Sequence, residues 1–288
     1  MEVTPVNALL LLAAGGVTGV LGAILGTGGG VFLIPLLVMV LGVPMHEAVA
    51  TSIVSVIATS SAVASTNVER GIANMRLGMT LEIATALGAI AGGLTAAVLA
   101  PRSLEVLFAL VLVPTALLMW RGRTEKSADS AADDATKPAT SSSSNSPSPL
   151  GGSYFDPAVG RVSYNVERLP AGLAVAFVAG NLSGLLGIGG GVFKVPALHL
   201  LCGVPVKAAA ATSNFMIGVT AVASAFLYYG NGMVMPGVTA AAVLGVLAGS
   251  ALGSVLNRSI GGRAVSRLFA VLLLLVAAQM LARALQGK

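Results

Sequence analysis

The chain has few charged residues, one cysteine and two histidines, and each shortage excludes a class of protein. Charged side chains make up 9% of the 288 residues and hydrophobic ones 56%, whereas globular domains carry about 25% charged residues. A soluble domain of this size could not bury so much apolar surface, so lipid is predicted to be the solvent. The single Cys202 excludes an intrachain disulfide, and two histidines and one cysteine, far apart in sequence, do not form a metal site.

Long apolar runs recur along the chain, whose mean hydropathy is +0.91. In the first half they cover 6–25, 31–43, 47–66, 77–99 and 104–120, and a corresponding set follows in the second half. Most of these runs approach the roughly 20 residues that a helix needs to cross a bilayer. The second run is shorter, so it either starts within the membrane or forms a re-entrant hairpin with the first. We therefore expect an all-α integral membrane protein.

The most specific pattern is a repeat interrupted by glycines. The stretch Gly26-Thr-Gly-Gly-Gly-Val-Phe-Leu-Ile-Pro recurs as Gly187-Ile-Gly-Gly-Gly-Val-Phe-Lys-Val-Pro. Both copies continue to Gly-Val-Pro and Ala-x-Ala-Thr-Ser at a constant offset of 161 residues, and 18 of 34 aligned residues are identical between 19–52 and 180–213. Duplicated hydrophobic segments broken by glycine indicate the binding site of a transporter.

The composition changes between the two copies. Residues 122–168 are rich in Ser, Ala, Asp and Pro, and such a stretch cannot bury enough apolar surface to offset its ordering entropy. We expect a first transmembrane repeat over 1–121, a flexible linker over 122–168 and a second transmembrane repeat over 169–288. With the linker in the cytoplasm, most basic residues fall on the inner side only if the two repeats have inverted topologies.

The glycine motifs predict an anion site. A helix break within hydrocarbon leaves backbone groups that only protein, water or a ligand can satisfy, and the N-terminus of the next helix attracts anions. The alternative is that the glycines only allow close helix crossing. The residues assigned to the site are Gly28, Gly29 and Gly30 in the first motif and Gly189, Gly190 and Gly191 in the second.

Hydroxyl and amide side chains follow each motif, at the start of the next long helix. They are Thr51 and Ser52 in the first copy and Thr212, Ser213 and Asn214 in the second. The short helix and turn between should return them to the glycine break, where they can donate to anion oxygens. The alternative is that each hydroxyl bonds a carbonyl of its own helix; the repetition of Ala-Thr-Ser favours binding.

The second half carries extra polar residues near its motif. Lys194 stands where the first copy has Leu33, and a lysine within a membrane segment marks a functional site by default, although it can also extend to the interface. Asn181 precedes the second motif in place of Val20. We expect Lys194 and Asn181 to contact the anion.

Two titratable residues are candidates for carrying a coupling proton. Glu82 lies about one turn inside its apolar segment, and His199 follows Lys194 by five residues. Intramembrane carboxylates and histidines form proton relays in transporters. The structural alternatives are an interfacial pair between Glu82 and Arg76 and a hydrogen bond from His199 to a neighbouring helix.

On the paired Gly-x-Gly-Gly-Gly-x-x-x-x-Pro, Gly-Val-Pro and Ala-x-Ala-Thr-Ser motifs, the sequence resembles the sulfite exporter TauE/SafE family of membrane permeases. The resemblance covers about 19–120 and 180–282, and the long Ser/Ala/Asp linker is the main departure. It implies transport of sulfite, sulfoacetate or related small sulfur-containing anions, driven by an ion gradient. It also implies a multi-pass protein of the bacterial inner membrane.

We therefore expect a secondary anion transporter, working as an exporter, with H+ as its coupling ion. No cofactor, metal or nucleic-acid partner is expected, and the sequence leaves undecided whether the protein forms a homodimer. An enzyme is not expected because the sequence offers no pair of nucleophile and base. Two other functions remain open at this point: an anion channel, with flux that neither saturates nor couples to a gradient, and a membrane receptor that binds an anion without moving it.

Overall fold

The computed structural model describes residues 5–25, 29–120, 150–156, 160–256, 271, 273–275 and 277–282. The first half contains the helices α1 (Pro5–Leu25), α2 (Gly30–Met39), α3 (Met45–Glu69), α4 (Met75–Val98) and α5 (Pro101–Trp120). A hairpin of β1 (Gly152–Asp156) and β2 (Gly160–Tyr164) follows. The second half contains α6 (Leu169–Leu186), α7 (Gly191–Leu200), α8 (Val206–Gly230) and α9 (Pro236–Leu256), and the described residues 273–275 and 277–282 are helical and largely apolar.

Five of these helices, α3, α4, α6, α8 and α9, are long and apolar enough to cross a membrane. The two faces of α4 show how they are built. Ile83, Leu87 and Leu94 recur at helical spacing and are exposed, as side chains that contact lipid should be. The opposite face, with Leu81 and Gly88, is buried. The expectation of a helical, multi-pass membrane protein is confirmed.

Glycines set the closest helix contacts. A Cβ atom at Gly88 or Gly92 of α4 would collide with the backbone of Phe177 or Asn181 on α6, so only glycine permits this approach. The same relation holds between α9 and α1, where Gly245 and Gly249 lie against the α1 backbone. The fourth helix of each half therefore packs on the first helix of the other half.

At the centre, α3 packs on α8, and the short helices α2 and α7 lie against them. Each short helix has ten residues and is about 15 Å long, half of the hydrocarbon thickness. Both are preceded by a glycine motif. The structure thus brings the two motifs to the same central pair of long helices.

Part of the predicted flexible linker is folded, which corrects that expectation for its last residues. Residues 152–156 and 160–164 pair as an antiparallel hairpin, with Tyr154 opposite Val162. Tyr154 is buried in an apolar cluster with Leu77 and Leu198, and Val162 and Tyr164 pack against that cluster. Tyr154, Val162 and Tyr164 supply this apolar surface, although the average composition of the stretch is polar. Residues 122–149 and 157–159 of the predicted linker lie outside the described residues.

Candidate functional site

The second glycine motif separates α6 from α7. Gly187, Gly189 and Gly190 have φ angles of 68°, 75° and 69°, in the left-handed region that glycine adopts without strain. α7 begins at Gly191, and the amides of Phe193 and Lys194 both donate to the Gly190 carbonyl at 3.1 Å. The earliest amides of a helix have no intrahelical acceptor, so α7 begins with N–H groups available to a ligand.

The first motif has the same local form where it is described. Gly29 has a φ of 75° and precedes α2, and the amides of Phe32 and Leu33 donate to its carbonyl at 3.1 Å. Gly28, which was assigned to the same site, lies outside the described residues. The amides at the start of α2 therefore resemble those at the start of α7.

The two motifs lie side by side. A Cβ atom on Gly30 would stand 3.0 Å from the Gly187 carbonyl oxygen and 2.7 Å from Cγ2 of Val56. A Cβ atom on Gly189 would stand 3.1 Å from Cγ1 of the same Val56 and 3.1 Å from Cγ2 of Ile217. Both motifs thus meet α3 and α8 at the same level.

Two buried serines mark this meeting point. Ser52 donates to the Gly187 carbonyl at 2.9 Å and lies 3.3 Å from the Gly30 carbonyl oxygen. Ser213, the equivalent residue in the second copy, is also fully buried, and its Oγ lies 3.8 Å from the Cβ position of Gly191. Among the described residues, the Ser213 hydroxyl has no hydrogen-bond partner. It is a buried polar group close to the first amides of α7.

The neighbouring threonines make contacts between helices rather than with their own carbonyls. Thr51 Oγ1 lies 3.2 Å from Thr239 Oγ1 on α9, and Thr212 Oγ1 accepts from the amide of Asn74 at 2.9 Å. Asn214 is half-buried on α8. Asn181 is half-buried at the contact between α6 and α4. Their assignment to the anion site stays a prediction.

A second buried polar group joins the two halves. Lys194 is 2% exposed and Glu82 is 5% exposed, so the lysine does not extend to an interface. Lys194 Nζ donates to Thr220 Oγ1 at 2.7 Å, and Thr220 Oγ1 lies 2.7 Å from Glu82 Oε1. One hydroxyl on α8 therefore bridges a lysine on α7 and a carboxylate on α4.

The other carboxylate oxygen of Glu82 also has a partner. Thr85 Oγ1 donates to Glu82 Oε2 at 2.9 Å, and Thr85 itself is fully buried. Because both oxygens of Glu82 are bound by buried threonines, the alternative of an interfacial pair with the exposed Arg76 does not describe this structure. The sequence predicts separate roles for Lys194 and Glu82, whereas the structure places them in one chain of hydrogen bonds.

His199 is placed differently from Glu82. Its ring donates from Nδ1 to the Val204 carbonyl at 3.0 Å, across the turn that follows α7. This contact fits the structural alternative considered for His199. A proton-carrying role for His199 remains a prediction.

The space beside Lys194 is small. A cavity of about 10 Å³ is lined by Lys194, Leu81, Cys202 and Met216, among others. That volume is at the lower limit for one water molecule. An anion of the size of sulfite therefore needs the surrounding helices to separate before it can reach the Lys194 ammonium group.

Three site residues were missed by the sequence analysis: Thr85, Thr220 and Thr239. Threonine is common in membrane helices and carries no signal alone. Thr85 could have been noticed because it follows Glu82 by three residues and shares its helix face. Thr220 and Thr239 belong to other helices, so their contacts depend on the tertiary fold.

Comparison with known proteins decides the family. The family model described as "Sulfite exporter TauE/SafE" matches residues 11–280. The chain belongs to this family. The match covers both glycine motifs, the hairpin and the Lys194–Thr220–Glu82 group. The expected family resemblance is confirmed.

Curated relatives of this TauE/SafE chain have similar lengths. It is 25% identical to the probable membrane transporter protein YunE of Bacillus subtilis (strain 168), over 95% of this chain and 97% of the relative. It is 27% identical to a probable membrane transporter protein of Xylella fastidiosa (strain 9a5c), over 93% of each chain. No solved structure matches the chain significantly. Family and relatives indicate a membrane transporter rather than an enzyme.

Proposed function

We propose that this protein is a secondary transporter that exports small sulfur-containing anions, such as sulfite, sulfoacetate or related organosulfonates, across the bacterial inner membrane with H+ as coupling ion. Its anion site lies where the two glycine motifs meet α3 and α8. The site consists of the first amides of α2 and α7 together with the hydroxyl groups of Ser52 and Ser213. Thr51, Thr212, Asn181 and Asn214 surround this point in the proposal.

The observation that carries the proposal is the Ser213 hydroxyl. A buried hydroxyl without a partner costs about 1–3 kcal/mol, and among the described residues none accepts from or donates to it. It lies beside the start of α7, where helix amides attract negative charge. A small oxyanion would accept from the hydroxyl and from the amides together.

We further propose that the two halves are inverted repeats. The exchange of helix contacts supports it, because α1 packs on α9 while α6 packs on α4, and these pairs correspond at the 161-residue offset. The charges also support it: Lys207 at the start of α8 stacks over the hairpin residue Tyr154, with its Nζ 5.9 Å from the ring centroid. Asn74, near Arg76, also bonds this hairpin segment. These basic residues would share the cytoplasmic end.

Lys194 supplies the full positive charge in the proposed mechanism, and Glu82 carries the proton, with His199 as the second candidate. In the described state, Lys194 is held by Thr220. An anion entering between the glycine motifs would attract the ammonium group, which lies on α7 one turn beyond Gly191. Movement of α2 and α7 against α3 and α8 would then expose the site alternately to the two sides.

The test is uptake of radiolabelled sulfite into proteoliposomes that contain the purified full chain, with and without an imposed pH gradient. Sulfoacetate, thiosulfate and sulfate serve as competitors. We expect saturable uptake that increases with the gradient and is lost in Lys194→Met. Lys207→Met serves as the control variant, because it removes a lysine at the helix end rather than one within the core.

Three results would contradict the proposal in different ways. Flux that does not saturate and ignores the gradient would indicate a channel. Sulfite binding without flux would indicate a receptor. Normal saturable, coupled transport by Lys194→Met would remove Lys194 from the mechanism.

A further inference from the structure

Thr220 lies between the two opposite charges of the buried polar group. Its oxygen is 2.7 Å from Lys194 Nζ, 2.7 Å from Glu82 Oε1 and 2.8 Å from the Met216 carbonyl oxygen of its own helix. A threonine hydroxyl has one hydrogen and two acceptor positions. Thr220 therefore has two acceptors in reach, Glu82 and Met216, for a single hydrogen.

The three distances allow two hydrogen-bond arrangements. When Glu82 is a carboxylate, Thr220 accepts from Lys194 and donates to Glu82. When Glu82 is a carboxylic acid, its O–H donates to Thr220, Lys194 still donates to Thr220, and the Thr220 hydrogen turns to the Met216 carbonyl. Lys194 Nζ, Thr220 Oγ1 and Glu82 Oε1 are joined by hydrogen bonds in both arrangements, and only the direction of one hydroxyl changes.

Thr85 repeats this design on the other side of Glu82. Its hydroxyl lies 2.9 Å from Glu82 Oε2 and 3.0 Å from the Leu81 carbonyl oxygen. The Thr85 hydroxyl can therefore also donate to the Leu81 carbonyl when Glu82 is protonated. Buried polar networks are stabilising when their members are paired, and both carboxyl oxygens of Glu82 keep a threonine partner whether Glu82 is charged or neutral.

We propose that Thr220 is a positioning residue for proton coupling: its hydroxyl switches between Glu82 and the Met216 carbonyl as Glu82 releases and binds the coupling proton. The proton is exchanged with solvent during the transport cycle, and no proton passes between the side chains. This inference rests on the proposed function, since protonated Glu82 leaves the Lys194 ammonium without a counter-charge, which a bound anion would supply.

Few other charged groups face Glu82. α6 carries no titratable side chain, and Arg76 on α4 itself is exposed. The titratable residues on the other packed elements are His46, Glu47 and Glu69 on α3, Tyr154 and Tyr164 of the hairpin, His199 on α7, Cys202 in the turn after α7, and Lys207, Tyr228 and Tyr229 on α8. The Tyr228 hydroxyl donates to the Gly184 carbonyl. Lys194 is therefore the charged group that Thr220 connects to Glu82.

The test uses Thr220→Val, which removes the hydroxyl at nearly constant shape, and Thr220→Ser, which retains it. Infrared difference spectra of the full chain in lipid are recorded over a pH titration, and the C=O band of a protonated carboxylic acid is assigned by its loss in Glu82→Gln. Loss of one hydrogen bond to a charged group shifts the pH at which that group titrates by about one unit or more. We expect the midpoint of this band to move by that amount in Thr220→Val and to stay in place in Thr220→Ser.

Thr95→Val is the matched control, because Thr95 is an exposed residue of α4 whose hydroxyl bonds the Ala91 carbonyl. It should titrate like the original chain. The inference is wrong if Thr220→Val also titrates like the original chain, or if Glu82→Gln leaves the band unchanged. These spectra need no substrate, so they test the role of Thr220 independently of transport. Absence of sulfite flux in the original chain would reject the proposed function instead.

Sulfite uptake into proteoliposomes gives the second readout. We expect Thr220→Ser and Thr95→Val to keep the response to the pH gradient and Thr220→Val to lose it. An unchanged gradient response in Thr220→Val, together with normal uptake by the original chain, would overturn the switch and leave the transporter assignment standing.

Discussion

The hydroxyl of Ser52 donates to the carbonyl of Gly187, so a residue of the first repeat closes the glycine break of the second at 2.9 Å. Ser213 occupies the equivalent place in the second repeat and has no such partner among the described residues. The equivalent serines of the two motif copies therefore differ in their hydrogen bonding. Ser52 connects the two motifs, whereas the Ser213 hydroxyl is the donor that the proposed function assigns to the anion.

This difference predicts opposite effects for the same substitution. Ser52→Ala leaves the buried Gly187 carbonyl without its donor, which should cost about 1–3 kcal/mol of stability. Ser213→Ala removes no hydrogen bond, so stability should be unchanged or slightly increased, while sulfite affinity should fall about tenfold or more. Thermal unfolding and sulfite binding by the purified variants measure both effects. Equal stability losses in the two variants would contradict the assignment.

The Lys194–Thr220–Glu82 group predicts a non-additive pair of substitutions. Lys194→Met or Glu82→Gln alone leaves a buried charge without its counterpart, which typically costs about 3–5 kcal/mol. The double variant removes both charges and should recover most of that loss. Thermal unfolding of the two single variants and the double variant forms the cycle. Additive losses would mean that the two charges do not interact through Thr220.

The glycine contacts between α4 and α6 predict a position-specific effect on stability. In Gly92→Ala the new methyl group would meet the Asn181 carbonyl, and the helices would have to separate, which should cost about 1–3 kcal/mol. Gly230→Ala is the control, since no atom lies within 4 Å of its Cβ position, and its stability should change by less than about 0.5 kcal/mol. A stable Gly92→Ala variant would show that the helices are not held at this distance.

The sequence predicted the helices well because lipid imposes a simple rule: apolar runs of sufficient length become helices. The predicted segment 77–99 corresponds to α4 at Met75–Val98, and the run 47–66 lies within α3 at Met45–Glu69. The repeat also placed Ser52 and Ser213 near their glycine breaks, since the short helix between them fixes the return of the chain.

Contacts between distant helices could not be derived in the same way. Nothing in the local sequence around Thr220 distinguishes it from Thr59, its counterpart in the first repeat, whose hydroxyl bonds the Ser55 carbonyl. The difference arises because Lys194 and Glu82 approach from two other helices. The β-hairpin was missed for another reason: a Ser-rich and Pro-rich average conceals the few side chains that form its apolar face.

Asn74 connects α4 to the segment that leads into this hairpin, which predicts the last experiment. Its side chain donates from Nδ2 to the Leu150 carbonyl at 2.9 Å and accepts from the Leu77 amide at 3.1 Å as the N-cap of α4. Asn74→Asp keeps the capping acceptor and loses the donor, whereas Asn74→Ala loses both. Loss of the cap should cost α4 about 1 kcal/mol, so only Asn74→Ala should lower the thermal stability measurably.

Both variants should loosen the hairpin. Trypsin cleavage after Arg161 reports this, because Arg161 is exposed but belongs to strand β2, and a docked strand resists the protease. We expect the fragment that begins at Val162 to appear faster in both variants than in the original chain. Asn231→Ala is the control, since its side chain bonds only the Leu227 carbonyl of its own helix among the contacts described. If cleavage were as slow in Asn74→Asp as in this control, the hairpin would be held by the packing of Tyr154 rather than by Asn74.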